Sequence, residues 1–92
     1  MKRYYSHYTF IYPDIYVKNY IVEMDDNRKI IRIFPYDKEV EKTEFHSGLL
    51  IFLPDNIPFR KEMQENIRKS DFSKQGRCLQ WEDSPYRIFK ED

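Results

Sequence analysis

Two histidines and one cysteine are the side chains in this sequence best suited to binding a metal ion or to nucleophilic catalysis. His7, His46 and Cys78 lie far apart in the chain, and no two of them have the spacing of a zinc-ligand pair. Cys78 falls in a segment with the pattern of a strand, so no helix N-terminus directly after it lowers the pKa of its thiol. We therefore expect no metal site, no Cys–His catalytic pair and no cofactor.

A cluster of glutamates is the other candidate for chemistry. The carboxylates alternate with two lysines between residues 38 and 44, without the arrangement of an EF-hand loop. This pattern predicts a solvated, charged loop instead of an acid–base pair, and the three residues concerned are Glu39, Glu41 and Glu44. The chain has only two glycines, so it also lacks a glycine-rich phosphate-binding loop. No catalytic residue is expected.

Aromatic residues make up 17% of the chain, with eight tyrosines, seven phenylalanines and one tryptophan. Tyrosine and phenylalanine favour pleated, half-buried surfaces, which predicts β-structure. A second interpretation is a platform on which a ligand or partner stacks. The residues of this possible contact surface are Tyr4, Tyr8, Tyr12, Tyr16, Tyr20 and Trp81.

The charge balance excludes several classes of partner. Lysine and arginine total 16, aspartate and glutamate also total 16, and the formal net charge is zero. Because no basic field is present, we expect neither nucleic-acid binding nor attraction to an acidic membrane surface. A single cysteine and an N-terminus without an apolar leader predict a cytoplasmic protein. The length predicts one domain, residues 1–92.

The elements that would position these side chains are mostly strands. Aromatic and β-branched runs bounded by proline, aspartate and asparagine predict six of them. Residues 25–27 predict a tight turn, and five consecutive apolar residues predict that the fourth strand is the central one. Gly48 predicts a bulge or a bend in that strand. Phe59, Met63 and Ile67 recur every four residues after Pro58 and predict one helix over residues 58–69. The predicted strands are 3–12, 15–24, 28–34, 45–53, 77–82 and 86–90.

These elements predict a mainly β fold, a sandwich or half-barrel of about six strands with one α-helix. Strict alternation along the first strand predicts two faces. One carries Tyr4, Tyr8, Phe10 and Tyr12, and the other carries Tyr5, His7, Thr9 and Ile11. Neither face is clearly polar, so we expect both faces to be covered. A chain of 92 residues has little mass with which to cover both.

One long stretch resembles a known family. The sequence VEMDDNRKIIRIFPYDKEVEKTEFHSGLLIFLP, residues 22–54, is similar to the N-terminal β-region of metal-dependent amidohydrolases of the cytosine and guanine deaminase type. The matching positions are the turn at residues 25–28, Ile31 and Ile33 in the following strand, Gly48, and the apolar strand and proline of residues 49–54. Together with the opening strand, the resemblance covers residues 4–54.

The chain departs from that family where the family binds its catalytic metal. In the enzymes the apolar strand leads to an H-x-H pair, whereas here it continues as DNIPFRKEMQ and no histidine follows His46. The (β/α)₈ barrel, which takes about 250 residues, is absent. The resemblance therefore implies a stand-alone version of the small β-sandwich that flanks the barrel, completed by the last two strands, with no catalytic residue carried over.

Three functions remain open at this point. The leading expectation is a non-catalytic domain that acts through protein–protein contacts and self-associates, because two-sided apolar strands need more cover than the chain supplies. The alternative is a small-molecule or carbohydrate-binding module that uses the tyrosine-rich face. The third is an enzyme, in the form of a remnant hydrolase.

Overall fold

A computed structural model describes residues 1–38, 40–72 and 80–91. Within these residues the chain forms five strands and one helix, which confirms the predicted mainly β fold with a single helix. The elements are β1 Lys2–Ile11, β2 Ile15–Met24, β3 Ile30–Pro35, β4 Thr43–Pro54, α1 Lys61–Lys69 and β5 Tyr86–Glu91.

The five strands form one mixed sheet in the order β3-β2-β1-β4-β5. β1 lies at its centre, antiparallel to β2 and parallel to β4, and β5 adds to the far side of β4. The prediction that the fourth strand is central is therefore wrong by one position. β4 nevertheless has a neighbouring strand on each side. Its apolar run is buried on both faces because Leu50 and Phe52 belong to one buried cluster and Leu49, Ile51 and Leu53 to another.

The sheet is bent into a half-barrel. Tyr4 lies opposite Glu44, eight residues before Phe52 on β4, yet the Tyr4 and Phe52 rings are 6.3 Å apart between centroids. At the open side an isolated antiparallel bridge joins Lys29, the residue before β3, to Pro85, the residue before β5. A strongly coiled sheet of this kind creates an inner and an outer face.

Apolar side chains cover both faces, as the sequence predicts. The inner cluster contains the residues enclosed by the bend: Ile11, Ile15, Val17, Tyr20, Val22, Met24, Ile30, Leu50, Phe52 and Tyr86. The outer cluster lies on the opposite face, where the helix packs: Phe10, Leu49, Ile51, Leu53, Ile67 and Phe72.

The alternation of β1 breaks near its middle, which corrects the predicted face. Tyr4 packs against the inner cluster, whereas Phe10 belongs to the outer cluster and Ile11 to the inner one. His7 and Tyr8 are both exposed, so two consecutive side chains point away from the core and the alternation is interrupted here. Across the strand pair, Asn19 in β2 adopts φ 56°, a left-handed conformation that interrupts regular pleating.

The predicted bulge and hairpin are both present. From Ser6 to Tyr8 on β1, β4 advances from His46 to Leu49, so β4 carries one extra residue beside Gly48. In the β2–β3 hairpin the Asp25 carboxylate accepts hydrogen bonds from the backbone N–H groups two and four residues later. The left-handed position of this turn is Arg28, with φ 63°.

Two further predictions need correction. The helix begins at Lys61 because Arg60, its N-cap, is still extended with φ −104° and ψ 153°, so Pro58 precedes the helix instead of opening it. The predicted strand 77–82 falls largely outside the described residues. Residues 80–82 do not form a strand, but Trp81 packs on the inner cluster and its indole Nε1 donates to the Ile30 carbonyl at 2.8 Å.

Candidate functional site

Three aromatic rings form an exposed cluster on the outer face of the sheet. We call Tyr5, Tyr36 and Phe45 the aromatic patch. The ring centroid of Tyr5 lies 5.0 Å from that of Tyr36 and 5.4 Å from that of Phe45, and the other two lie 6.2 Å apart. Phe45 is 51% exposed and Tyr36 is 38% exposed, which is unusual for large apolar rings in mutual contact.

The strand register explains why these rings meet. Tyr5 lies directly opposite Phe45 on the parallel strand β4 and opposite Ile21 on β2, and Ile21 in turn lies opposite Phe34 on β3. Side chains that are directly opposite point to the same face, so a row of apolar residues crosses four strands. Tyr36 extends this row from the end of β3, where its N–H donates to the Asn19 carbonyl at 2.9 Å.

Helix α1 covers only part of the outer face. Its buried residue Ile67, with the partly buried Met63 and Phe59 beside it, packs on the half of the sheet that carries the outer cluster. Because Tyr4 packs against the inner cluster, its neighbour Tyr5 points to the outer face, on the half that the helix does not reach. The patch thus continues the apolar surface of the outer cluster beyond the part that helix α1 covers.

An ion triad with a buried central carboxylate borders the patch. Arg3, Glu23 and Arg32 lie opposite one another on β1, β2 and β3, one row before the apolar row. The Glu23 carboxylate accepts from Arg3 Nε at 2.7 Å and from Arg32 Nε at 3.0 Å, and its side chain is 5% exposed. The triad carries a net positive charge and fixes the three strands side by side.

Electrostatics keep Glu23 ionised. Burial by itself raises the pKa of the Glu23 carboxyl, but hydrogen bonds from Arg32 and Arg3 and the charges of both guanidinium groups outweigh burial, so the pKa lies below its ordinary value. The pKa of Glu91 is lowered in the same way, with burial opposed by Gln64 and Arg68. Both carboxylates are structural ion-pair partners with little basicity.

The structure divides the predicted contact surface between the two faces. Tyr20 belongs to the inner cluster, and Tyr4 and Trp81 pack against it. On the outer face, the rings of Tyr8 and Tyr16 lie 5.3 and 5.4 Å from the ring of Phe72. The sixth residue, Tyr12, packs against both clusters.

The other candidate residues are dispersed. The His7 ring centroid lies 5.9 Å from that of Tyr5, whereas His46 Nε2 lies 2.8 Å from the Glu91 carbonyl oxygen at the end of β5. Glu44 pairs with Lys90 at 2.7 Å, and Cys78 and Glu39 lie outside the described residues. Within residues 1–38, 40–72 and 80–91, no group of three or more metal-ligating side chains is arranged to hold an ion.

Cavities open on the surface of the described part of the chain. One of about 570 Å³ lies beside Tyr8, Lys18 and Phe72, and one of about 350 Å³ lies at the rim of the inner face near Tyr4. A cleft of about 360 Å³ separates the first part of helix α1 from the β1–β2 turn and includes Tyr12 and two residues of the outer cluster.

Comparisons with known proteins add no relative. The chain matches no protein-family model, no curated protein and no solved structure. In the part of the chain that the structure describes, no helix has the length and apolar character needed to cross a bilayer.

The aromatic patch was missed at the sequence level. Tyr36 falls in the charged connection after β3, where its sequence neighbours are polar. Strict alternation places Tyr5 on the face opposite Tyr4 and indicates no partner for it. The signal that could have found the patch is the parallel pairing of β1 with β4, which places Tyr5 beside Phe45. Pairing between strands 40 residues apart is not encoded in local periodicity.

Proposed function

We propose that this protein is a non-catalytic β-domain that acts through protein–protein contacts and self-associates through the aromatic patch. The observation that carries the proposal is the exposed ring cluster of Tyr5, Tyr36 and Phe45, which continues an apolar surface that helix α1 covers elsewhere. Exposed aromatic residues in contact with one another are typical of interface cores.

A second copy of the chain is the occupant that fits the patch best. The patch can meet its own counterpart across a two-fold axis, because aromatic rings are self-complementary in offset or edge-to-face geometry. The Arg3–Glu23–Arg32 triad beside the patch carries both signs of charge, with a net positive balance. A standard interface of about 800 Å² per partner would use about one eighth of the 6132 Å² surface.

The absence of a catalytic role is part of the same proposal. Active sites hold groups whose pKa values are shifted toward the working pH within a cleft. Here the lowered pKa values of Glu23 and Glu91 move these carboxyls away from general-base activity, and each is occupied by arginine. A cytoplasmic location is also proposed, supported by the single cysteine.

Kinship with the small β-domain of metal-dependent amidohydrolases remains a proposal. It is supported by the shared residue pattern and by the addition of the last strand, β5, to the edge of β4. After Pro54 the chain turns at residues 55–57 and reaches helix α1, so this stretch departs from a metal-binding strand end. In such a relative the patch would take the place of a surface covered by another domain.

Sedimentation velocity across a concentration series tests the proposal. We expect the wild-type protein to form a dimer, and Phe45→Ser or Tyr36→Ser to shift the equilibrium toward monomer. Tyr8→Ser is the matched control, because Tyr8 is 42% exposed but lies outside the patch. A wild-type protein that stays monomeric, or a Tyr8→Ser variant that dissociates as readily as Phe45→Ser, contradicts the proposal. Circular dichroism confirms that each variant is folded.

A further inference from the structure

The cleft between helix α1 and the β1–β2 turn has the chemistry of a binding site for a small polar ligand. Its volume of about 360 Å³ lies within the range of about 300–1,000 Å³ that is usual for ligand sites. Tyr12 and Tyr16 line it from the turn, and Arg60, Glu62 and Asn66 line it from the helix. All of these residues belong to β2 or α1, or to positions directly beside β1 or α1.

The polar side chains of the cleft have no partners elsewhere in the described protein. Among residues 1–38, 40–72 and 80–91, the side chains of Arg60, Glu62 and Asn66 make no hydrogen bond or ion pair. By contrast, each of the other described arginines bonds a carboxylate or a backbone carbonyl. The hydroxyls of Tyr12 and Tyr16 are likewise without a protein partner in this part of the chain.

Helix geometry explains why these groups meet. Glu62 and Asn66 are four residues apart and therefore lie on the same side of the helix, and Arg60 is the residue that precedes its first turn. Met63 and Ile67 line the floor between them, and Phe10 contributes from β1. The cleft thus has an apolar floor and aromatic wall on one side and a polar wall on the other.

The charge of the lining points to a neutral ligand. Arg60 and Glu62 carry opposite charges that cancel, so neither an anion nor a cation is favoured overall. A sugar ring presents apolar C–H faces that pack on aromatic rings, and hydroxyls that both donate and accept hydrogen bonds. Carboxylate groups accept hydrogen bonds, guanidinium groups donate them, and amide groups do both.

We propose that this cleft binds a small neutral saccharide or a similar polyol. Tyr12 and Tyr16 contact the apolar face of the ring, Glu62 accepts from its hydroxyls, and Arg60 and Asn66 donate to them. The cleft shares no residue with the aromatic patch, so this function does not depend on self-association.

NMR titration of the isotope-labelled full chain with glucose, galactose, N-acetylglucosamine and maltose tests the site. We expect at least one of these sugars to shift the side-chain amide signals of Asn66 in a saturable manner. Glu62→Gln should weaken that binding about fivefold, which corresponds to about 1 kcal/mol. Glu65→Gln is the control, because Glu65 is exposed on the same helix but does not line the cleft.

Several outcomes would overturn the saccharide site. They are the absence of saturable shifts at Asn66 with all four sugars, shifts that arise only with anions such as phosphate or glucuronate, and equal weakening by Glu62→Gln and Glu65→Gln. Titration of the Phe45→Ser variant separates the two functions. Loss of the dimer with unchanged sugar binding supports both proposals, whereas a folded Phe45→Ser variant that no longer binds sugar overturns a saccharide site independent of the patch.

Discussion

Replacement of Glu23 by glutamine probes the ion triad that positions the aromatic patch. The substitution keeps the size of the side chain and removes its charge, so Arg3 and Arg32 lose the carboxylate that each of them bonds through Nε. Because the three residues lie opposite one another on β1, β2 and β3, the change acts on the register of these strands. We expect a less stable protein with an unchanged fold.

The size of the effect follows from how exposed each partner is. A hydrogen bond to a charged group contributes about 1.5–3 kcal/mol, whereas an exposed ion pair contributes about 0–1 kcal/mol. Arg32 is 61% exposed and can turn into water, but Arg3 is 23% exposed and Glu23 is 5% exposed. We therefore expect Glu23→Gln to lower the free energy of unfolding by about 2 kcal/mol.

Urea denaturation at several pH values measures this effect. The pKa of Glu23 in the folded protein is lowered from the ordinary 4.5, so its contribution is fully present above pH 4.5 and is lost as the pH falls through the folded pKa. The wild-type protein should therefore lose stability below pH 4.5, and Glu23→Gln should lose less over that interval. Glu91, whose pKa is also lowered, accounts for part of the remaining acid sensitivity.

Glu44→Gln is the matched control for this experiment. It removes the same charge from an exposed pair with Lys90, in which both side chains are about half exposed, and should cost at most about 0.5 kcal/mol. If Glu23→Gln costs no more than Glu44→Gln, or leaves the acid transition unchanged, the triad does not stabilise the sheet and the reasoning fails.

Substitutions at three further positions test the packing that forms the half-barrel. Tyr86→Phe removes a fully buried hydroxyl with two hydrogen bonds and should cost about 1–3 kcal/mol. Because burial raises the Tyr86 pKa above 10, the wild-type protein should lose stability as the pH rises beyond 10, and Tyr86→Phe should lose less there in alkaline melts. Arg28→Gly should be more stable than Arg28→Ala by about 1 kcal/mol in urea, since both lose the Asp55 pair but only glycine is relaxed at φ 63°. Trp81→Phe should lower the melting temperature, because it removes the hydrogen bond to the Ile30 carbonyl, and no change would show that the indole does not brace β3.

Local pattern predicts the elements of this protein well. β2 has the predicted bounds, and β1, β4 and β5 begin or end within two residues of prediction, because apolar runs and turn residues act over short distances. The extra residue at Gly48 is also predictable, since glycine within a strand signals a bulge.

The side-chain faces are less predictable because irregularities reverse them. One left-handed residue, Asn19, and the adjacent break at His7 and Tyr8 move later side chains of β1 to the opposite face from that expected by strict alternation. The tyrosine surface predicted from the sequence is therefore divided between the two faces of the sheet. The aromatic patch depends instead on the pairing of β1 with β4, which connects residues 40 positions apart.

The patch also sets an expected energy for dimerisation. A phenylalanine ring buries about 150–250 Å² when fully enclosed, so the 51% of Phe45 that is exposed amounts to about 100 Å² per copy. If half of that area is buried in each of two copies, serine at this position loses about 2.5 kcal/mol, or about seventyfold in the dimer dissociation constant.

The most direct measurement is an isotope-filtered NOE experiment on a mixture of labelled and unlabelled protein. We expect intermolecular NOEs between the Phe45 ring of one copy and the Tyr5 and Tyr36 rings of the other, and their loss in the Phe45→Ser variant. Intermolecular NOEs that arise only from other surfaces, or none at concentrations where the wild-type protein sediments as a dimer, would contradict self-association through the aromatic patch.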